Sequence, residues 1–510
     1  MKKHLFILII LVCNQFIYAQ NEIVPEMKTQ KAFGKIDFLS IKMPETSIPN
    51  EANMGFTGIH YNLMLNNWAY AGTGIYGAVS GERGGFFTLG VNLGVKKYFS
   101  DAFYIDSGFH FGGGGGKSAP DGGGAFILPH FNLGYDFKNF SINSGWSYVN
   151  FFDDGLIKGH QLNVSLEIPL DYEYANYNQS EKEINFSDLA KSDWNINSKK
   201  NSMMLHLNTL KINGDTQGIN NGKTIKLAGF EFDSYITKNW FAFLKVDGAF
   251  DGIKAGFMDV FLGGGYHFYL NKNNTNILAK FGVGAAGGGG VDTQGGFLLY
   301  PDVSIEQRIF KDLFVSVNKG FVISPNAHFN TSSLGIGLKY YIDRNGIIAD
   351  KTFTSGKFKG FEVIVKQDLY LDAERDKDTN PTQNLHQISL QINLDLNKNV
   401  YVAGQTSFAN FGNAGAYAEG IVGLGAKTNP IANNKITIFG QVLTGAAGGG
   451  DISTGEGLIL KPSAGLSYKL NNTLSLRASG GYVKAKGGQL NSTFFNFGLK
   501  YHLSFLKMNQ

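Results

Sequence analysis

The chain has one cysteine, Cys13, in 510 residues. It stands inside an apolar amino-terminal run, and once that run is removed no thiol is left to form a disulfide framework, attack a substrate or bind a metal. Proline is scarce, at 11 residues, which excludes a proline-rich linker architecture. Charged residues make up 17% of the chain, against a usual value of about 25%. With a sequence pI near 8.7 there is no polycationic surface of the kind nucleic acid requires, so nucleic acid is not expected as a partner. Beyond residue 20 no stretch reaches eighteen consecutive apolar residues, which leaves no helical membrane span.

Catalytic signatures are missing as well. Gly282-Val283-Gly284-Ala285-Ala286-Gly287 has dinucleotide-binding spacing, but further glycines follow where a helix should start. The run from Gly112 to Gly116 before Lys117-Ser118 resembles a phosphate loop, yet Phe111 occupies the first glycine position and Ala119-Pro120 discourages a helix. No Gly-x-Ser-x-Gly elbow or His-Glu-x-x-His pair is present. The chain reads as a non-enzyme, without a cofactor.

What is abundant is glycine, 67 residues, with aromatics at 14%. The first residues read as a signal peptide: Lys2 and Lys3, an apolar run over residues 5–12, then Ile17-Tyr18-Ala19, with cleavage expected after Ala19. Lipidation of Cys13 would need a small residue before it, where Val12 stands. Thereafter the period is two. Ile388, Leu390, Ile392, Leu394 and Leu396 alternate with Ser389, Gln391, Asn393 and Asp395, giving a strand with one apolar and one polar face. Similar segments of about 9–13 residues recur between Asn, Asp, Gly and Lys clusters, a length that suits a tilted strand crossing a bilayer.

The strands repeat in three sets. Asn67-Trp68, Asn239-Trp240 and Asn399-Val400 each open a strand, and glycine runs ending at Gly116, Gly290 and Gly450 follow after 49, 51 and 51 residues. Then come Pro129, Pro301 and Pro462, the pairs Tyr148-Val149, Phe321-Val322 and Tyr482-Val483, and a closing alternating strand. Two closing strands share an identical run, Gly337-Leu338-Lys339-Tyr340 and Gly498-Leu499-Lys500-Tyr501. The expected organisation is a signal peptide at 1–19, repeat units at 20–170, 201–342 and 358–510, a polar linker or plug at 171–200 and a linker at 343–357. Eight strands per unit gives about 24 in an all-β antiparallel barrel fold. The first expectation is one large closed barrel; three small eight-stranded barrels and a soluble β-repeat such as a propeller are the alternatives.

The last strand favours the membrane. Phe495, Phe497, Leu499, Tyr501, Leu503 and Phe505 share one face, and Asn496, Gly498, Lys500, His502 and Ser504 the other. Phe497, Leu499, Tyr501, Leu503 and Phe505 resemble the terminal assembly signal of bacterial outer-membrane barrels, although residues 506–510 follow the expected final aromatic. On that strand, with the leader and the dyad periodicity, the sequence resembles large bacterial outer-membrane β-barrel proteins as a class. The resemblance implies an integral protein of a Gram-negative outer membrane, with membrane lipid and the barrel-assembly machinery as partners. It also implies a porin-like role in transport: a pore or export channel for an unidentified solute or exported substrate, or alternatively a non-conducting scaffold or adhesin.

Two further groups carry candidate roles. Asp372, Glu374, Asp376 and Asp378 have the alternate spacing of a calcium loop but lack its central glycine and distal glutamate, so a solvated loop is the competing reading. The glycine runs, marked by Gly112, Gly116, Gly287, Gly290, Gly448 and Gly450, either permit bending and close backbone approach or form three loops that gate an opening.

Overall fold

The computed structural model describes residues 24–45, 48–196, 199–215, 219–325, 327–344, 353–376 and 382–509. The expected signal peptide and Cys13 lie outside the described residues.

Each alternating segment forms an antiparallel strand. In the first unit eight strands follow one another, Ala32–Ile41, Met54–Met64, Ala69–Ser80, Phe87–Tyr98, Phe103–Gly115, Phe126–Asp136, Ser141–Phe151 and Lys158–Pro169. The eighth returns to the first, Phe33 pairing with Pro169 and Leu39 with Asn163, and the sheet closes. In the second unit Asn330–Arg344 closes on Lys199–Gly214, with Leu205 opposite Leu338. In the third, Asn491–Asn509 closes on Ser355–Ala373, with Val365 opposite Leu499. The single large barrel is therefore corrected to the alternative, three eight-stranded barrels. The reason lies in pairing, because each unit's eighth strand satisfies its free edge on its own first strand and leaves none open for the next unit.

The two ends of each barrel differ. One end carries short turns fixed by side chains that imitate backbone acceptors: Asn66 Oδ1 receives the N–H groups of Trp68 and Ala69, and Asn397 and Asn471 do the same for Asn399 and Val400 and for Thr473 and Leu474. The Asn clusters of the sequence mark these turns. The other end carries the longer glycine-rich loops.

The segment between the first two barrels stays at the turn end. Tyr172–Tyr174 pairs with Lys28–Gln30, and Glu183–Asn185 pairs with the start of Ser355–Ala373. Ile184, Leu189 and Trp194 bury against Phe358, Leu506 and Met508, and the Trp194 indole donates to Pro25 O at 2.7 Å. Tyr177 reaches the third barrel's mouth and donates to Asp395 Oδ2 at 2.6 Å.

Closure within units fixes which cysteines can meet. Oxidation of a chain carrying Ile36→Cys and Leu166→Cys, directly opposed in the first barrel, should give an intramolecular crosslink, and the pair Ile36→Cys and Leu499→Cys should give none. Mobility on non-reducing gels reads the outcome.

Candidate functional site: filled lumens and a glycine interlock

The inward faces carry the charge. In the first barrel Lys35 Nζ lies 3.2 Å from Asp106 and 3.5 Å from Asp37, and Lys96 Nζ lies 2.6 Å from Glu167. In the second, Lys339 bridges Asp233 and Glu306 at 2.6 and 2.8 Å, Lys280 bridges Glu231 and Asp302 at 2.8 and 3.4 Å, and Lys245 meets Asp247 and Asp259. In the third, Lys461 bridges Asp368 and Glu419 at 3.3 and 3.1 Å, and Lys500 lies 3.1 Å from Glu362. Lys339 and Lys500 are the lysines of the two identical sequence runs; Glu167 sits in the corresponding closing strand of the first barrel and takes its charge from Lys96. A charge inside a protein needs a partner at hydrogen-bonding range, and these barrels supply one on the same, a neighbouring or a facing strand.

Toward the loop end each lumen turns apolar. Phe86, Phe126 and Phe151 fill the first barrel, Phe257, Leu298 and Phe329 the second, and Tyr417, Ile452 and Leu490 the third. Phe86, Phe257 and Tyr417 hold equivalent places, each following a loop and accepting at its carbonyl the N–H of a residue on the third strand of its own barrel, Ala78, Ala249 and Ala409. The polar face of residues 388–396 points inward as its alternation requires. It is packed rather than wetted: Ser389 donates to Asp368 at 2.7 Å, Asn393 to Glu362 at 2.7 Å and Gln391 to Asn393 at 2.8 Å.

The outward faces are apolar. Leu133, Leu162, Leu207, Ile336, Leu424 and Phe497 are exposed, Phe497 at 58%, while Lys339 inside is exposed at 1%. Trp68, Phe99, Phe137, Trp240 and Phe310 form an exposed aromatic fringe at the turn end.

The three barrels pack in a ring. The third strand of the first barrel, Ala69–Ser80, packs on the fifth of the second, Thr275–Gly287; Trp240–Asp251 packs on Ile436–Gly448; and Val400–Phe411 packs on Phe103–Gly115. Between them Phe87, Leu89, Val260, Ala285 and Phe408, contributed by all three barrels, form one apolar cluster. The glycine runs meet at these seams. A Cβ on Gly85 of the first barrel would stand 2.5 Å from Gly288 N of the second, one on Gly448 would stand 2.6 Å from Gly256 N, and one on Gly113 would stand 2.4 Å from Ala409 O. Close backbone approach is what the runs accomplish here. Gly287, Gly116 and Gly450 also sit at positive φ, the last at +57°. Gly112 packs within the first barrel against Leu89 O, and Gly290 O accepts from Asn220.

Three side chains that sequence reasoning missed clasp these loops. Arg83 pairs with Glu51 at 2.6 Å and donates to the carbonyls of Lys117 and Ser118; Asn220 donates to Gly290 O at 2.8 Å; Arg375 donates to the carbonyls of Gly412, Asn413 and Gly450. They are two arginines and an asparagine, Arg83 after the third strand of its barrel and Asn220 and Arg375 after the first strands of theirs, so no repeat in the sequence exposes them.

The acidic stretch serves the same loop end. Glu374 accepts from Asn491 N at 2.9 Å, Asp372 stands at φ +50° in the register shift before its strand ends at Ala373, and Asp376 N donates to Asp451 O. Asp378 lies outside the described residues, and among the described residues no cluster of His, Cys, Asp and Glu is arranged to hold a metal ion. On the terminal strand Phe497 and Leu499 are exposed, whereas Leu503 is buried and Tyr501 lies 3.3 Å, oxygen to oxygen, from Tyr172. Residues 506–508, beyond the expected end, enter the cap at the turn end.

No protein-family model matches the sequence, and no curated protein matches it. Among solved structures the chain is similar to the ferric enterobactin receptor PfeA of Pseudomonas aeruginosa, at 9% identity over 92% of this chain and 81% of that one, TM-score 0.28. It is similar to the FrpB iron transporter of Neisseria meningitidis at 8% identity over 95% and 82%, TM-score 0.29. It is similar to Pseudomonas aeruginosa OccK11 at 8% identity over 94% and 96%, TM-score 0.21. Those proteins are outer-membrane β-barrels.

Two substitutions separate lumen from seam. Lys339→Met leaves Asp233 and Glu306 buried without their cation and should cost on the order of 3–5 kcal/mol, read as a lowered urea midpoint of the lipid-reconstituted protein. Gly85→Val should break the seam between the first two barrels while each stays folded, detected as new protease cleavage in the loops with unchanged far-ultraviolet circular dichroism. Gly404→Ala, whose Cβ meets nothing within 4 Å, should change neither.

Proposed function

We propose that the protein is an integral outer-membrane protein whose three barrels are sealed, and that it acts as a rigid, non-conducting membrane scaffold. The observation that carries this reading is the inverted distribution of side chains. Apolar residues cover the outside, while lysines paired with carboxylates fill the inside. In water such an exterior would be an aggregation surface; in a bilayer it is the required face. The aromatic fringe at the turn end suits the interface between hydrocarbon and headgroups.

Sealing follows from size. An eight-stranded barrel has an interior just wide enough for side chains to fill, and here aromatic plugs and ion-pair belts occupy it. The apolar cluster shared by the barrels closes the space between them toward the loop end. The porin-like alternative requires a water-filled path, and among the described residues the packed lumens and the apolar junction weigh against one.

Purified protein in a planar bilayer should show no single-channel conductance above background, and it should migrate anomalously in unheated detergent gels. Stepwise conductance in three equal levels would restore the pore reading. Recovery of folded protein without detergent would remove the membrane reading itself.

Sidedness follows from connectivity. Short turns of outer-membrane barrels face the periplasm and longer loops face out, which supports an external glycine interlock and a periplasmic cap of residues 171–196. Single cysteines at Ser118, Gln294 and Glu456 should react with an impermeant maleimide on intact cells, whereas one at Ser187 should react only after lysis.

A further inference from the structure

The receiving loops at the three seams turn alike, which allows residues to be compared across them. Gly84 N donates to Gln294 O at 2.6 Å where the first barrel meets the second, and Gly415 N donates to Gly122 O at 3.3 Å where the third meets the first. In the receiving loops Gly124, Gly296 and Gly457 each donate to the carbonyl three residues earlier, in Asp121, Thr293 and Thr454. Those three residues are therefore structural equivalents. Two are neutral hydroxyls, 0% and 1% exposed; the third is a carboxylic acid, 8% exposed.

Thr293 Oγ1 donates to Ala286 O at 2.8 Å, and a Cβ on Gly84 of the neighbouring barrel would stand 2.5 Å from it. Asp121 sits the same way in its own seam. Its Oδ2 accepts from Gly116 N at 2.9 Å, and a Cβ on Gly415 of the third barrel would stand 2.9 Å from its Oδ1. The carboxyl thus lies between the backbones of two barrels, with glycine on both sides.

We propose that Asp121 makes the seam between the first and third barrels a pH-sensitive latch, closed when the carboxyl is neutral and loosened when it ionises, while the two threonine seams stay closed. A neutral carboxyl, like the hydroxyl of its equivalents, brings no charge into the seam; an ionised one places a negative charge between two glycine backbones, with the Gly116 N–H as its hydrogen-bond donor. The surroundings offer little compensation. Arg83 is committed to Glu51, Lys117 points 3.7 Å from Asp292 toward the second barrel, and Asp153 and Asp154 on the adjacent loop add negative charge. On the third-barrel side the loop of residues 412–417 carries no charged residue, and Arg375 behind it is spent on carbonyls.

Burial pushes the Asp121 carboxyl up to about 7, against the opposing pull of the Gly116 N–H and Arg83. A carboxyl whose value is raised in the closed seam binds its proton more tightly there than when open. Its contribution to closure is therefore full at low pH and is lost as pH rises through about 7.

The test uses the full chain in lipid vesicles, without Cys13, carrying nitroxide labels across one seam at a time. Labels at Leu156 and Asn413 span the third-to-first seam, and labels at Glu82 and Gln294 span the first-to-second. Between pH 5.5 and 8.5 the first pair should gain a longer-distance population with a midpoint near 7, and the second pair should not change. Asp121→Thr, which installs the chemistry of the other seams, and Asp121→Asn should both abolish the transition. A distance distribution independent of pH in the unmodified seam would overturn the proposal, as would a transition that survives in Asp121→Asn. Circular dichroism of both variants, matching the parent, confirms that the barrels are folded in the comparison.

Discussion

The lysine held between two carboxylates inside a narrow barrel is the interaction on which the rest of this structure depends. An apolar exterior forces the polar half of every strand inward, and an eight-stranded wall leaves those groups no bulk water. Each cation must then find its partner on the same, a neighbouring or a facing strand. Lys339 between Asp233 and Glu306 ties the closing strand of the second barrel to strands elsewhere on its circumference. Lys461 performs the same service in the third between Asp368 and Glu419. Such pairs are poor sources of net stability compared with apolar packing, but breaking one is costly. They therefore penalise strand register errors, since a slip of one residue would turn every inward lysine of a strand to the apolar exterior.

The ring of barrels rests on a different constraint, which is distance. Third strand against fifth strand is a head-to-tail contact, and such contacts either close or propagate. Here three copies close within one chain. Closure demands that the loops of neighbouring barrels approach to backbone contact, and only residues without a Cβ allow it at Gly85, Gly113 and Gly448. The glycine excess of the composition is thus largely a consequence of how the barrels meet. The clasps from Arg83, Asn220 and Arg375 then satisfy carbonyls that the interlock removes from solvent.

Much of this was legible in the sequence, and the part that was not has a definite cause. Alternation at Ile388 through Leu396 identified strand, face and polarity, and the Asn clusters identified turns, because those signals are local. The threefold repeat was visible through its glycine runs and its shared Gly-Leu-Lys-Tyr. Whether the strands made one barrel or three was not, because a strand paired with its own unit's first member and one paired with the next unit's carry the same alternation. A weaker signal existed. The inward positions include long lysines and tyrosines such as Tyr300, Tyr370 and Tyr401, all fully buried; large residues of that kind fill a narrow lumen and would leave a wide one incomplete. The clasps were invisible because Arg83 follows the third strand of its barrel while Asn220 and Arg375 follow the first strands of theirs, so the three fall at no common position of the repeat.

Filling also limits what the architecture can do. A single barrel of 24 strands would trade its packed interior for a channel, and its polar face would be hydrated one residue at a time. Dividing the same strands into three closed sheets converts that face into three cores, each made of charge pairs beneath an aromatic plug, and moves the only adjustable contacts to the seams. Motion in such a molecule belongs where few interactions must be broken at once. Within a barrel, opening one strand pair unpairs two rows of backbone groups at once; between barrels, separating two loops exposes glycine backbone that water can solvate. The loop end is consequently the place where this fold can respond to its surroundings without unfolding, and the single carboxyl among three equivalent positions there is the chemical difference that selects one seam.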